Sequence, residues 1–285
     1  MSSGDSPVTF QGFDKKDWLY RETLVDDCKE KIQCLTNALL VEPDDGYVWH
    51  YLGDMYADFD QEKANYCWNH ASRSYLKRLN QFKDDAKMYA KDSLHLIHMD
   101  VHSNDVPQVI ASMYFSLGSI YMNLEKYPLA ADAYKKSYSI KDNDPDCLYY
   151  AAEALYYEDR LDEAEKLVNE NIEYTDDYKS YYLLGLVLWK KGSHFAAQNN
   201  FWKCIEFASD DADSCYYKHL AYHSLGNSKK TEFYLKKAFE LEPTSERGFA
   251  LVRYYEDTGK HRQSKKYYDI IHKIHQKKKN GDIEK

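Results

Sequence analysis

The sequence predicts an all-α solenoid of helical hairpins, and three observations carry that prediction. The chain repeats itself about every 34 residues from Ala111 onward, with an aromatic residue three places before a position of close helix contact in each copy. These aromatics are Phe115, Tyr149, Tyr182, Tyr216 and Phe249, separated by 34, 33, 34 and 33 residues. Apolar and small residues within a copy recur at i, i+4, i+7, the period of a helix face. Only 11 glycines and 6 prolines occur among 285 residues, which favours helices joined by short turns over a strand-rich fold. Self-similarity at this period means that a unit cannot bury its apolar face alone, so neighbours stack to form one continuous core.

At the N-terminal end, DWLYRETLVDDCKE and KIQCLTNALLVEP read as two helices of a cap, with Leu35, Ala38 and Leu39 inward and Pro43 as the stop. A first full unit follows in Trp49, Leu52, Gly53 and Tyr56, then Ala64, Trp68 and Ala71. It is one residue short between its halves, which predicts a shorter turn between its helices. From Ser72 to Pro107 the pattern is helical through Tyr75, Leu76, Leu79 and Phe82, then Tyr89, Leu94, Leu96, Ile97 and Met99, without a full unit.

The clearest copy is 111–144, where Leu117, Gly118 and Tyr121 share one helix face and Ala130, Tyr134 and Ser137 share the next. The frame continues through Leu148, Ala151, Ala152 and Leu155 with Leu161, Ala164 and Val168, then Tyr181, Leu184, Gly185 and Leu188 with Ala197 and Phe201. It closes with Tyr222, Leu235, Ala238 and Pro243, then Leu251, Val252, Tyr255, Tyr268 and Ile271.

At Leu117-Gly118, Tyr121, Tyr127, Ala130 and Tyr134, and in the phrase RLDEAEKLV, the chain resembles the tetratricopeptide repeat family. The resemblance implies a right-handed helical-hairpin solenoid, a tetratricopeptide-like superhelix. It divides the chain into a flexible N-terminal segment (1–15), capping helices and a first unit (16–79), and an irregular helical or degenerate repeat (80–110). Five consecutive repeats (111–278) and a flexible tail (279–285) complete the chain.

In such a superhelix the first helix of each repeat lines a groove. This places Phe115, Ser119 and Met122 in the groove, followed by Tyr149, Glu153 and Tyr156, then Tyr182, Leu186 and Trp189. Tyr216, Leu220 and His223, then Phe249, Arg253 and Glu256, continue it. The residues expected to bind a partner are Phe115, Met122, Tyr149, Tyr156, Tyr182, Leu186, Trp189, Tyr216, Leu220 and Phe249. Tyrosine and tryptophan suit this task because they offer large amphipathic area at low conformational-entropy cost. The competing reading is that these rings only pack the inner wall. A third is that the N-terminus, with Phe10, Phe13 and Trp18, fills the groove.

The family's clamp for a C-terminal carboxylate does not carry over, because its Lys, Asn and Arg positions hold His50, Asp54, Ser116, Asp146 and Tyr150 here. A formal net charge of −9 opposes nucleic acid as the main partner. Acidic residues gather at inter-repeat turns (Glu42, Asp44, Asp45; Asp142, Asp144, Asp146; Asp176, Asp177; Asp210, Asp211, Asp213), and stacking would join them into an edge that favours a basic partner. At helix starts they also cap free N–H groups. Lys135, Lys136, Lys236, Lys237, Lys265 and Lys266 fall on second helices as a solvated outer face.

No apolar run has the length of a membrane span, which speaks against direct membrane insertion, and no leader pattern opens the chain. Six scattered cysteines without a C-x-x-C pair read as reduced core thiols, so a cytoplasmic location is expected.

His95, His98 and His102, near Asp100 and Asp105, have helical spacing for a metal but lack a further marked ligand. His219 and His223 stand at i, i+4, with His219 at the small-residue position. No catalytic or phosphate-binding motif occurs, and neither metal nor cofactor is expected. The expectation is a non-enzymatic protein-protein interaction adaptor or scaffold subunit, binding an apolar and partly basic protein or peptide, with self-association open. The alternative is a regulatory sensor whose groove takes a small ligand or signalling peptide.

Overall fold

Helix follows helix along the chain, and the two helices of each repeat are joined by a three-residue turn. The computed structural model describes residues 10, 12–25, 27–89, 106–140 and 144–280, with side chains as far as 82 and 274 in the two longest helices. His95, His98, His102, Asp100, Asp105 and Asp142 lie outside the described residues, as do 90–105 of the expected irregular stretch.

The helices are α1 (Lys15–Thr23), α2 (Cys28–Val41), α3 (Gly46–Ala57), α4 (Gln61–Tyr89), α5 (Val106–Asn123), α6 (Tyr127–Ile140) and α7 (Pro145–Tyr157). They continue as α8 (Leu161–Thr175), α9 (Tyr178–Lys190), α10 (His194–Phe207), α11 (Ala212–Ser224), α12 (Ser228–Leu241), α13 (Ser245–Asp257) and α14 (His261–Asn280). No named strand is present among the described residues, so the fold is all-α, with helices paired as hairpins. They divide into two compact units, the second spanning Lys126–Ile274 and the first made of residues 1–125 with 275–285.

In the first unit, α1 to α3 close on Trp18, Leu35, Ala38, Val48 and Leu52. Phe10 and Phe13 pack on Trp18, with ring centroids 6.3 and 5.3 Å away. These aromatics cover their own cap, so the reading in which they fill the groove is not followed. Asp14, Asp27 and Asp45 cap α1, α2 and α3 by accepting backbone N–H bonds, as expected of Asp at helix starts. The helix after α3 does not break where the repeat pattern fades: α4 runs for 29 residues. Its stripe Ala64, Trp68, Ala71, Tyr75, Leu79 and Phe82 keeps one face buried well past the end of a repeat.

In the second unit the period marks many of the buried side chains, including Ala130, Tyr134, Leu155, Ala164, Val168, Phe201, Leu235, Leu251, Tyr255 and Ile271, but Tyr268 is exposed and its neighbour Tyr267 is buried in its place. Cys147, Cys204 and Cys215 are buried there as free thiols, used as small apolar residues.

The turns inside the hairpins follow one rule with one exception. Their middle residue is left-handed in Glu125, Asp159, Gly192, Gly226 and Gly259, with φ between 55° and 81°. Where the bond is made, the next residue donates back across the turn, as from Arg160 to Leu155, Ser193 to Leu188, Asn227 to Tyr222 and Lys260 to Tyr255. This is the Schellman closure of a helix end.

The exception is the α3–α4 turn, which has no left-handed residue; Asp60 N–H reaches Tyr56 instead. Its length is not shorter, contrary to the expectation: three residues separate α3 from α4 as they do α9 from α10. The missing residue comes off the end of α3, which runs four residues past Gly53, whereas α9 runs five past Gly185.

A left-handed conformation costs an ordinary L-residue about 1–2 kcal/mol, partly offset by the entropy glycine loses on folding. Glu125→Gly is therefore expected to stabilise the protein by up to about 1 kcal/mol. A rise in the thermal midpoint checks it; a fall would mean that the glutamate side chain contributes more than its strained backbone costs.

Candidate protein-interaction surface

The first helices α7, α9 and α11 pack side by side in the second unit, and their shared face is built almost entirely from tyrosine. Tyr149 on α7 is 9% exposed, and its ring meets Tyr150 edge-on at 5.2 Å. Its hydroxyl lies 3.3 Å from that of Tyr217 on α11. Tyr217 also packs edge-on against Tyr178 and Tyr182 of α9, at 5.4 and 5.6 Å. Tyr182 in turn sits 5.7 Å from the core ring of Phe201. One aromatic cluster thus joins three successive repeats.

Burial raises the phenol pKa of Tyr149, Tyr182 and Tyr217, so all three are neutral hydroxyls at physiological pH. Tyr216 is half-buried, its pKa pushed up to about 12 by burial, with added effect from the charge of Glu246. The cluster is a rigid wall with polar tips.

The remaining expected residues distribute differently. Leu186 and Leu220 are half-buried, with Leu186 packed on the core of Phe201 and Ala197. Trp189, at the end of α9, is 44% exposed, its ring 4.4 Å from His194. Tyr156 is half-buried beneath the Lys190 ammonium, which lies 5.0 Å from its ring centre. Phe249 on α13 is 43% exposed. Phe115 and Met122 are half-buried on α5, in the first unit.

The structure therefore brings Tyr149 and Tyr182 together through Tyr217, a residue the repeat position did not single out. The signal for it was available in the doublets Tyr149-Tyr150, Tyr181-Tyr182 and Tyr216-Tyr217, because adjacent residues point about 100° apart on a helix. One member of a doublet can then reach a neighbouring helix while the other follows the ladder.

His219 is a core residue: buried, with its Nδ1 2.5 Å from the Tyr216 carbonyl and its pKa lowered to about 4 by desolvation. No group of acids, cysteines and histidines fit to hold a metal occurs among the described residues.

Acids of the first and last acidic turns face the protein's own cations, whereas Asp144, Asp146, Asp176 and Asp177 make no ion pair among the described residues. Lys15 pairs with Glu42 and Asp45 at 2.6 and 2.8 Å, and Lys77 with Asp44. Asp210 holds Lys218 and Lys237 at 3.3 and 3.1 Å, and Arg247 is flanked by Asp213 and Glu242. The charge of the acidic turns is thus neutralised internally at Glu42, Asp44, Asp45, Asp210 and Asp213.

No described helix is long and apolar enough to cross a membrane. Three segments, 111–144, 178–211 and 213–245, match the profile of the tetratricopeptide repeat. No curated protein sequence matches the chain.

Among solved structures, the chain is similar to TTC0263, a thermophilic tetratricopeptide repeat protein of Thermus thermophilus (21% identity, 56% of this chain and 89% of that one, TM-score 0.49). It is also similar to MamA (22% identity, 64% and 93%, TM-score 0.41). Yeast Tom70 is a third (14% identity, 94% and 63%, TM-score 0.48). The matched segments coincide with the hairpins α5–α6, α9–α10 and α11–α12, so these three are tetratricopeptide-type repeats within an all-α helical-hairpin fold.

Proposed function

We propose that the protein is a non-enzymatic adaptor or scaffold subunit that binds a peptide or helix of a partner protein along the first helices of its middle repeats. Solenoids of stacked repeats use such extended surfaces for recognition. The observation that carries the reading is the tyrosine cluster fused across α7, α9 and α11, together with the exposed ring of Trp189 at the C-terminal end of α9. Packing alone accounts for Tyr149, which is buried; it does not account for a tryptophan left 44% exposed beside half-buried Leu186. Aromatic anchors on a rigid wall concentrate binding energy, and truncating one at a well-packed centre costs about 2 kcal/mol or more. Tyr156, Tyr216, Leu220 and Phe249 extend the surface, and Phe115 and Met122 are further candidates on α5.

The test is a pull-down from cell lysate with the Tyr182→Ala, Trp189→Ala double variant, read by mass spectrometry. Recovery of the specific partner is expected to fall by at least about tenfold. Because Tyr182 touches Phe201, Trp189→Ala alone, which leaves that core contact in place, is the folding control. Undiminished recovery by a variant of unchanged helicity would overturn the reading.

A further inference from the structure

Glu153 is the odd member of the tyrosine face. It lies on α7 one turn after Tyr149 and is half-buried. Its charge acts on Tyr149, Tyr150 and Tyr157 of its own helix and on Tyr217 of α11. Among the described residues it makes no ion pair and no hydrogen bond, and burial alone shifts its pKa, to about 6.

The lysines of α9 do not compensate it. Lys190 goes to Asp159 at 2.8 Å and over the Tyr156 ring, and Lys179 lies 5.9 Å from the ring centres of Tyr178 and Tyr217. Elsewhere in this unit Asp210, Asp213, Glu242, Glu163 and Glu232 each hold a lysine or arginine of the chain itself. A carboxylate withdrawn from water without a partner destabilises the protein that carries it, and a cation arriving from outside would relieve that cost.

We infer that the partner inserts a basic side chain, arginine or lysine, into the tyrosine face, with Glu153 as its counter-ion and Tyr149 and Tyr217 as its flanking walls. The inference rests on the proposed use of this face and specifies the chemistry of its occupant: an extended segment with a basic residue among apolar ones. Arginine fits best, since its planar guanidinium pairs with a carboxylate through two hydrogen bonds and stacks on aromatic rings.

The test uses the full chain and a displayed library of random peptides as the probe. Peptides selected on the unmodified protein are expected to share one Arg or Lys position flanked by apolar residues. Glu153→Gln is expected to weaken them about tenfold or more, as is replacing that basic residue by norleucine.

The same substitution should raise the thermal midpoint at neutral pH. A carboxyl whose folded pKa is raised leaves stability whole below its unfolded value and erodes it as pH climbs through about 6, so the gain should vanish in acid. Selected peptides without a basic position, unchanged affinity for Glu153→Gln, or a midpoint that fails to rise would each overturn the inference.

If peptides are lost with Tyr182→Ala, Trp189→Ala but kept by Glu153→Gln, the face is a binding surface and the cation is not its occupant. If no peptide is selected, or the bound ones ignore both variants, the proposed surface itself falls.

Discussion

Phe201→Ala is expected to lower the unfolding free energy of the second unit by about 3–5 kcal/mol, the range for emptying a buried aromatic site. Phe201 is 1% exposed and fills the space that Gly185 leaves open on the facing helix. The fit is close: a Cβ at Gly185 would stand 2.6 Å from Cδ1 of the Phe201 ring. The reverse insult, Gly185→Ala, should therefore cost about 1–3 kcal/mol by overpacking.

Joining Gly185→Ala to Phe201→Leu should recover part of that loss, because the two residues share one volume and their effects are not additive. Chemical denaturation followed by helical circular dichroism gives these values, with Phe201→Leu alone measured to close the cycle. Strict additivity would show that the ring moves aside rather than being held. Tyr182 rests on this same ring, so the interaction surface inherits its position from the core pair.

Asn171→Leu should be nearly as damaging, at about 2–5 kcal/mol, for a different reason. Asn171 is 2% exposed on α8 and joins three helices. Its Nδ2 donates to the Pro145 carbonyl at the start of α7, at 2.6 Å. Its Oδ1 accepts from Thr175 at 3.2 Å and from Ser180 on α9 at 2.5 Å. Leucine matches the volume but leaves the fully buried Ser180 hydroxyl without its acceptor, at about 1–3 kcal/mol, and removes the side-chain bond to the Pro145 carbonyl at the start of α7. The shift of the denaturation midpoint reads the effect. A loss below about 1 kcal/mol would mean that water replaces the amide.

The fold was legible because a repeat states its core several times. Leu117, Leu155, Leu235 and Leu251 are all buried, as helical spacing required, and the partner helix of each hairpin follows from short turns and few glycines. The candidate surface was legible only in part. The ladder position treated Tyr149 and Tyr182 as equivalent, yet Tyr149 is buried, with its hydroxyl against that of Tyr217, while Tyr182 is half-buried. Glu153 was placed one turn after Tyr149 without any sign that it lacks a counter-ion. Asn171 carried no signal, since a lone asparagine on a charged helix reads as solvent-facing.

The sequence by itself determined the all-α hairpin architecture, the period and the first-helix face, because local spacing sets which side of a helix is apolar. The tertiary structure decided which tyrosines are wall and which ring stays exposed. It also decided which acids are already paired and where Gly185 meets Phe201. These depend on side chains brought together from α7, α9, α10 and α11, and the distance between residues on different helices is not a periodic property of the chain.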